Sequence, residues 1–286
     1  MAVTTPTTAT IIMTEPPSTN GLLKLTAWLS PAFPIGSFSY SHGLESAVSA
    51  MPSEAPSTAF RGLPPPLRRG GSQAAGGRDI DPPPFTGEGD HAERGGGGER
   101  APLITSADEL KDWLAALLRF GSAWNDAVLF AAAWRRQQDS GDMGELADLG
   151  AALAGSFERH LETTLQGRAF AAALQNGWPQ PAVELPDPCP YPIAVGAAAG
   201  AHGIPLEDAL PVWLQAFVTN LAQAAIRLGI TGQAGAVGLV AALEPVIAET
   251  ATCAAGSTLD DLGSATVLSE IMSMRHETQY SRLFRT

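Results

Sequence analysis

The chain has 286 residues, a formal net charge of -12, 45% hydrophobic content and two cysteines. That is enough chain to build a core by apolar burial alone, as one large or two small domains. With only two lysines, Lys24 and Lys111, and an acidic balance, it argues against a nucleic-acid or anionic-membrane partner, both of which need clustered cations.

The opening MAVTTPTTATIIMTEPPS has neither a basic nor a sustained apolar region, so it does not read as a secretory signal, and residues 1–20 are expected to be disordered. No apolar run of membrane-spanning length stands out, the best candidate, Ala234 to Ala248, being interrupted by Glu244-Pro245. Cys189 and Cys253 lie far apart, with no CxxC motif and no histidine at ligand spacing, as in a reducing compartment. A cytoplasmic location follows.

Residues 21–51 open the folded body, and residues 52–104 interrupt it. Of 30 glycines and 23 prolines, 11 and 9 fall in this stretch, which includes Pro64-Pro-Pro66, Pro82-Pro-Pro84 and Gly95-Gly-Gly-Gly98. It has too few large apolar residues to offset the entropy of ordering, so a disordered, low-complexity insert is expected.

Helical periodicity then takes over. Ser106-Ala-Asp-Glu109 has the form of a capping box, followed by an apolar stripe of Leu110, Trp113, Leu114 and Leu117. Further helices are predicted over Ser122–Gln138, Met143–Ala154 and Phe157–Leu174, the last burying Leu161, Leu165, Ala169 and Ala172. A proline-rich loop, Trp178–Pro192, precedes a small-residue helix over Ile193–Ala201 suited to close helix packing. Pro205 opens a short turn, and a helix restarts at Pro211 and stops at Gly229, because proline is tolerated in a first turn. Thr231–Ala255, bent at Pro245, and Leu259–Met274 complete the set. No segment shows strand alternation. The fold class is therefore all-α, a single helical-bundle domain of about eight to ten helices carrying the insert.

Catalytic signatures are missing. Both lysines follow leucine, which excludes a P-loop, and no G-x-S-x-G occurs. The one Glu-x-x-His match, Glu88 to His91, lies in the insert. Asp260-Asp261 lacks a second acidic pair at metal spacing and reads as a helix start. Glu158 and Glu162 share a helix face with Gln166, and a solvated polar face is the expected role. His160 and His202 are isolated.

Two segments are unlike generic bundle sequence. The first, Trp28 to Glu45, places Pro31, Phe33, Pro34, Gly36, Ser37, Phe38, Tyr40 and His42 in one punctuated, aromatic connection that ends at Glu45. The second is residues 275–286. There Arg275, His276, Glu277, Arg282 and Arg285 alternate with Tyr280, Leu283 and Phe284 in an otherwise acidic chain. Arg and aromatic side chains anchor interfaces, so this tail reads as a docking element, with an intramolecular clasp as the alternative.

The motifs SPAFPIGSFSYSHGLE and MRHETQYSRLFR, with ERHLETTLQGRAF and YPIAVGAAAGAHGIPLEDAL between them, resemble the UreF family of urease accessory proteins. The resemblance covers about residues 21–51 and 105–286, with the domain proper at 105–274 and the tail beyond it. It implies an all-α homodimer without catalysis or cofactor of its own. Such proteins bridge UreD (also called UreH) and the GTPase UreG, and the complex inserts nickel into apo-urease. Nickel is then handled by the complex, and GTP is bound by UreG. The resemblance also implies that Arg275 to Arg285 orders against the UreD-type partner and that Pro31 to Glu45 helps to receive UreG. The departure from the family is the insert, where a few residues would be expected. Two other functions remain on the residues alone: a helical-bundle enzyme with a pocket lined by Trp213 and Phe217, and a metal-storage bundle.

Overall fold

The computed structural model describes residues 19–49 and 101–285. Of the disorder expected over residues 1–20, residues 1–18 fall outside the described residues, as do most of the insert and the Glu88–His91 pair, whereas Thr19 and Asn20 are helical and open the first helix. Among those described, ten α-helices and two 3-10 turns occur, and no strand. The helices are α1 (Thr19–Trp28), α2 (Leu44–Val48), α3 (Ala107–Phe120), α4 (Ser122–Gln138), α5 (Gly144–Ala152), α6 (Phe157–Gly177), α7 (Tyr191–Ala201), α8 (Leu206–Arg227), α9 (Gln233–Gly256) and α10 (Val267–His276). The body resumes at Pro102, before the expected boundary. The N–H groups of Leu103 and Ile104 both donate to the Ala47 carbonyl, and Ile104 is buried.

α7 is the centre of the bundle. Every residue from Ile193 to Gly200 is buried, and α4 packs along it more extensively than any other pair of helices does. The approach depends on glycine: a Cβ at Gly196 would collide with the Phe130 carbonyl of α4, and one at Gly200 would sit 2.9 Å from the Trp134 carbonyl. Phe130 and Trp213 stack beside this contact, and Trp28, Phe170, Tyr191 and Trp178 extend the aromatic core.

Capping sets several boundaries. Ser106 accepts the Glu109 N–H, while Glu109 reaches back to the Thr105 N–H and hydroxyl. These bonds stabilise the Glu109 carboxylate and lower its pKa. Ser156 likewise accepts the Arg159 N–H at the start of α6. The Arg135 guanidinium donates to the Ala255 and Ser257 carbonyls, satisfying the C-terminal end of α9.

Three expectations need correction. α8 begins at Leu206 and runs through Pro211, because burial of Ala209, Leu210, Trp213 and Leu214 around it outweighs one lost helical bond. Leu259–Met274 is not one helix. A 3-10 turn at Leu259–Asp261 is followed by a non-helical stretch, in which Gly263 and Ala265 donate to Asn125 Oδ1 and the Phe120 carbonyl instead of to a helical ladder. Finally, α8 and α9 are long and apolar enough to cross a membrane by length and composition, with mean hydropathy of 1.2 and 1.4 over their best windows. Pro245 lies inside an uninterrupted helix and does not divide α9.

Candidate functional site

The site is organised by α6, and it reverses the face expected from the sequence. Glu158, Glu162, Thr163 and Gln166 point inward, Glu162 with only 2% exposure. Phe157, Leu161 and Leu165 face outward, Phe157 with 64% exposure. Burying carboxylates is costly unless each is paired and hydrogen-bonded, and here each finds an imidazole and a guanidinium.

Around Glu162, His42 Nε2 lies 3.0 Å from Oε1 and Arg159 Nη1 lies 2.5 Å from Oε2. Gln166 Nε2 donates to Oε1 at 3.1 Å. Arg159 also reaches Asp126 Oδ2 at 3.5 Å. Burial alone would raise the Glu162 pKa, but the charges and hydrogen bonds of Arg159 and His42 outweigh it and hold the group at about 2. At Asp126 the balance tips the other way: burial dominates Arg159 and raises the pKa.

One turn earlier, Glu158 meets the end of the chain. His276 Nδ1 lies 2.7 Å from Glu158 Oε2, and His276 Nε2 lies 2.9 Å from Glu45 Oε2. Arg282 donates to Glu158 Oε1 at 2.5 Å. Glu45 accepts the N–H groups of Leu283 and Phe284 at 2.7 and 2.9 Å. The Arg285 N–H donates to the Ser39 carbonyl at 2.7 Å. Arg227 of α8 donates to the Phe38 and Leu283 carbonyls, and its guanidinium lies 4.1 Å from the centroid of the Phe284 ring. Glu277 accepts the Phe157 N–H at the start of α6.

The terminal segment is thus an intramolecular clasp in this chain, the arrangement ranked second from the sequence. Of the two sets of expected partner residues, Tyr40, His42, Glu45, His276 and Phe284 are buried and hold the fold. Phe33, Gly36, Ser37, Arg275 and Glu277 are half-buried, Phe33 resting against Phe170 and Trp178. Pro31, Pro34, Phe38, Tyr280, Arg282, Leu283 and Arg285 are exposed. The fold joins two segments that the sequence presents at opposite ends. Gly43 permits that contact: its φ is +75°, and a Cβ there would lie 2.7 Å from the Ser273 amide of α10.

Sequence reasoning missed Arg159, Asp126 and Arg227, and gave Glu158 and Glu162 to solvent. The available signal was that the acids at 158 and 162 recur with the spacing of one helix face, while His42 and Glu45 recur on another short segment. Side-chain pairing between distant segments is not visible in periodicity.

A cavity of about 430 Å³ opens between α1, the 30–38 connection, α6 and α8. Leu25, Leu29, Trp213 and Phe217 wall it, and His42, Asp126, Arg159 and Glu162 form its charged floor. A smaller cleft of about 60 Å³ between α4, α5 and α10 is lined by the same His42, Asp126 and Arg159, so the charged group partitions the two. Among the described residues, no group of three or more His, Cys, Asp or Glu side chains is arranged to hold a metal ion.

A family model described as UreF matches residues 104–244. The chain is 47% identical over 269 residues to "Urease accessory protein UreF 1" of Brucella canis, covering 94% of this chain and 95% of that protein. It is 46% identical over 275 residues to "Urease accessory protein UreF" of Mesorhizobium japonicum, covering 96% and 100%. With "Urease accessory protein UreF 1" of Brucella anthropi it shares 45% identity over 277 residues, covering 96% and 99%. This identity runs along nearly the full length of both chains, so the chain belongs to the UreF family of urease accessory proteins.

Proposed function

We propose that this protein is a non-catalytic cytoplasmic scaffold that bridges a UreD/UreH-type protein and the GTPase UreG during GTP-dependent nickel delivery to apo-urease. The observation that carries this reading is the clasp itself. It places Phe38 and Leu283, two exposed large apolar residues, beside Arg227, which donates to both of their carbonyls, and the exposed Tyr280 lies three residues before Leu283 in the same segment. Exposed aromatics beside arginines are what a protein interface uses as anchors. The scaffold itself carries no cofactor: nickel travels with the complex, and GTP sits on UreG. α8 and α9 serve in this reading as body helices of a water-facing protein.

The test leaves the buried clasp intact. A Tyr280→Ala, Leu283→Ala double variant should fold normally yet lose most of its co-elution with the UreD-type partner, by roughly tenfold or more in affinity. Unchanged co-elution would sink the assignment of this face. The cavity lined by Trp213 and Phe217 is the one observation favouring a helical-bundle enzyme, and turnover of a small molecule by the isolated chain would support that second reading.

A further inference from the structure

The cavity of about 430 Å³ between α1, the 30–38 connection, α6 and α8 has the size of a small-molecule site, and it brings three aromatic rings to a charged floor. Tyr191 and Trp213 stand with their ring centroids 4.8 Å apart. Phe217 meets His42 edge to face at 4.9 Å, which joins the aromatic wall to the floor. Aromatic faces beside a carboxylate suit an organic cation, because the ring quadrupole and the carboxylate attract the same charge.

The floor is unevenly satisfied. Glu162 accepts from Arg159 at 2.5 Å and from Gln166 at 3.1 Å, and its pKa of about 2 keeps it ionised at neutral pH. Arg159 is a permanent cation, so the two charges cancel as a pair. Asp126 has much less. Among the described residues, its carboxylate makes one polar contact, with Arg159 Nη2 at 3.5 Å, although the side chain is only 18% exposed. That distance is beyond the usual range of a hydrogen bond. Burial outweighs Arg159 there and raises the pKa, as expected of a carboxylate short of donors. A ligand bringing N–H donors and a positive charge would supply both deficits. A metal ion suits the site less well, since no group of three or more His, Cys, Asp or Glu side chains among the described residues is arranged to hold one.

We propose that this cavity binds a small organic ammonium ion, whose N–H groups bond Asp126 and whose carbon skeleton is held by Tyr191, Trp213, Phe217, Leu25 and Leu29. The apolar walls remove the skeleton from water, and Asp126 orients the charged head. The site does not depend on the scaffold reading above, and binding without turnover leaves that reading as it stands.

The test is calorimetric titration of the full chain with phenethylammonium, set against phenethyl alcohol and hydrocinnamate, which share its apolar body. The ammonium ion should bind at least about tenfold more tightly than either analogue, as a charge-assisted hydrogen bond to a carboxylate predicts. Asp126→Asn keeps the shape of the side chain and removes a charge whose burial opposes folding, so this variant should fold and lose the preference. No saturable binding by about 10 mM, or equal or tighter binding of hydrocinnamate, overturns the site. So does a preference that survives Asp126→Asn, which would put the ammonium ion elsewhere on an acidic surface. Phe217→Leu stays apolar but removes a ring face. It should weaken the ammonium ion severalfold and leave phenethyl alcohol within about twofold. Equal effects on the two probes overturn the cation site, and this comparison decides should Asp126→Asn not fold.

Discussion

Two acids on one helix face, Glu158 and Glu162, show how strongly a side chain's role depends on what the fold brings to it. Each is buried, and each is stabilised by a histidine from another segment and by an arginine. Glu162 has the stronger electrostatic signature. Its folded-state pKa of about 2 lies below the ordinary value of 4.5, so its stabilisation is fully present above 4.5 and is lost as pH falls toward 2. Replacing Glu162 by Gln leaves Arg159 buried without its main partner and should cost roughly 3 kcal/mol at neutral pH. Urea denaturation at several pH values checks both points: the variant should be less stable at pH 7, and its acid-side loss between 4.5 and 2 should be shallower. Equal stability of the two proteins at neutral pH would contradict the pairing described for Glu162. Asp126 has the opposite sign, since burial raises its pKa and its charged form opposes folding at neutral pH.

At the scale of elements, α6 separates what periodicity can decide from what it cannot. Periodicity locates the helix, and Ser156 marks its start. It also reveals two faces, one with Phe157, Leu161 and Leu165 and one with Glu158, Glu162 and Gln166. Choosing the inward face by hydrophobicity alone fails, because partners outside the helix compensate the acids. The inversion makes a direct prediction. Changing Leu161 and Leu165 together to Ser should alter stability by less than about 1 kcal/mol, as expected of surface positions. Buried leucines would instead cost several kcal/mol each, and thermal denaturation distinguishes the cases. α7 is the opposite case. Its run of small residues signals close packing in the sequence, and the structure places Gly196 and Gly200 against the α4 backbone. α8 shows that burial of Ala209, Leu210, Trp213 and Leu214 on one side can carry a helix through a proline that local rules would place at its start.

At the scale of the whole molecule, α9 leaves an apolar face exposed among the described residues. It carries two charges, Glu244 and Glu249, in 24 residues, yet Ala234, Gly238, Ala241 and Ala248 are exposed and Val237 is 70% exposed. We propose that a second copy of this chain covers it, since a face of small residues is complementary to itself and allows two helices to approach closely. Val237→Glu should therefore convert a dimer to a monomer in light scattering without unfolding it, whereas a natural chain that is monomeric at high concentration would rule the interface out. The clasp works at the same scale, tying residues 37–45 to 282–285 through Glu45 and Ser39.

Composition and periodicity by themselves determined the all-α class, most helix positions, the capping at Ser106 and the distinctive character of both end segments. These depend on local propensity and on the spacing of apolar residues, which are properties of contiguous chain. Only the tertiary structure decided that α6 turns its acids inward, that the terminal segment folds back on its own body, and that His276 lies between Glu45 and Glu158. Each of those depends on contacts between segments more than a hundred residues apart. Its free energy exists only once the bundle has excluded water and brought the partners within hydrogen-bonding distance.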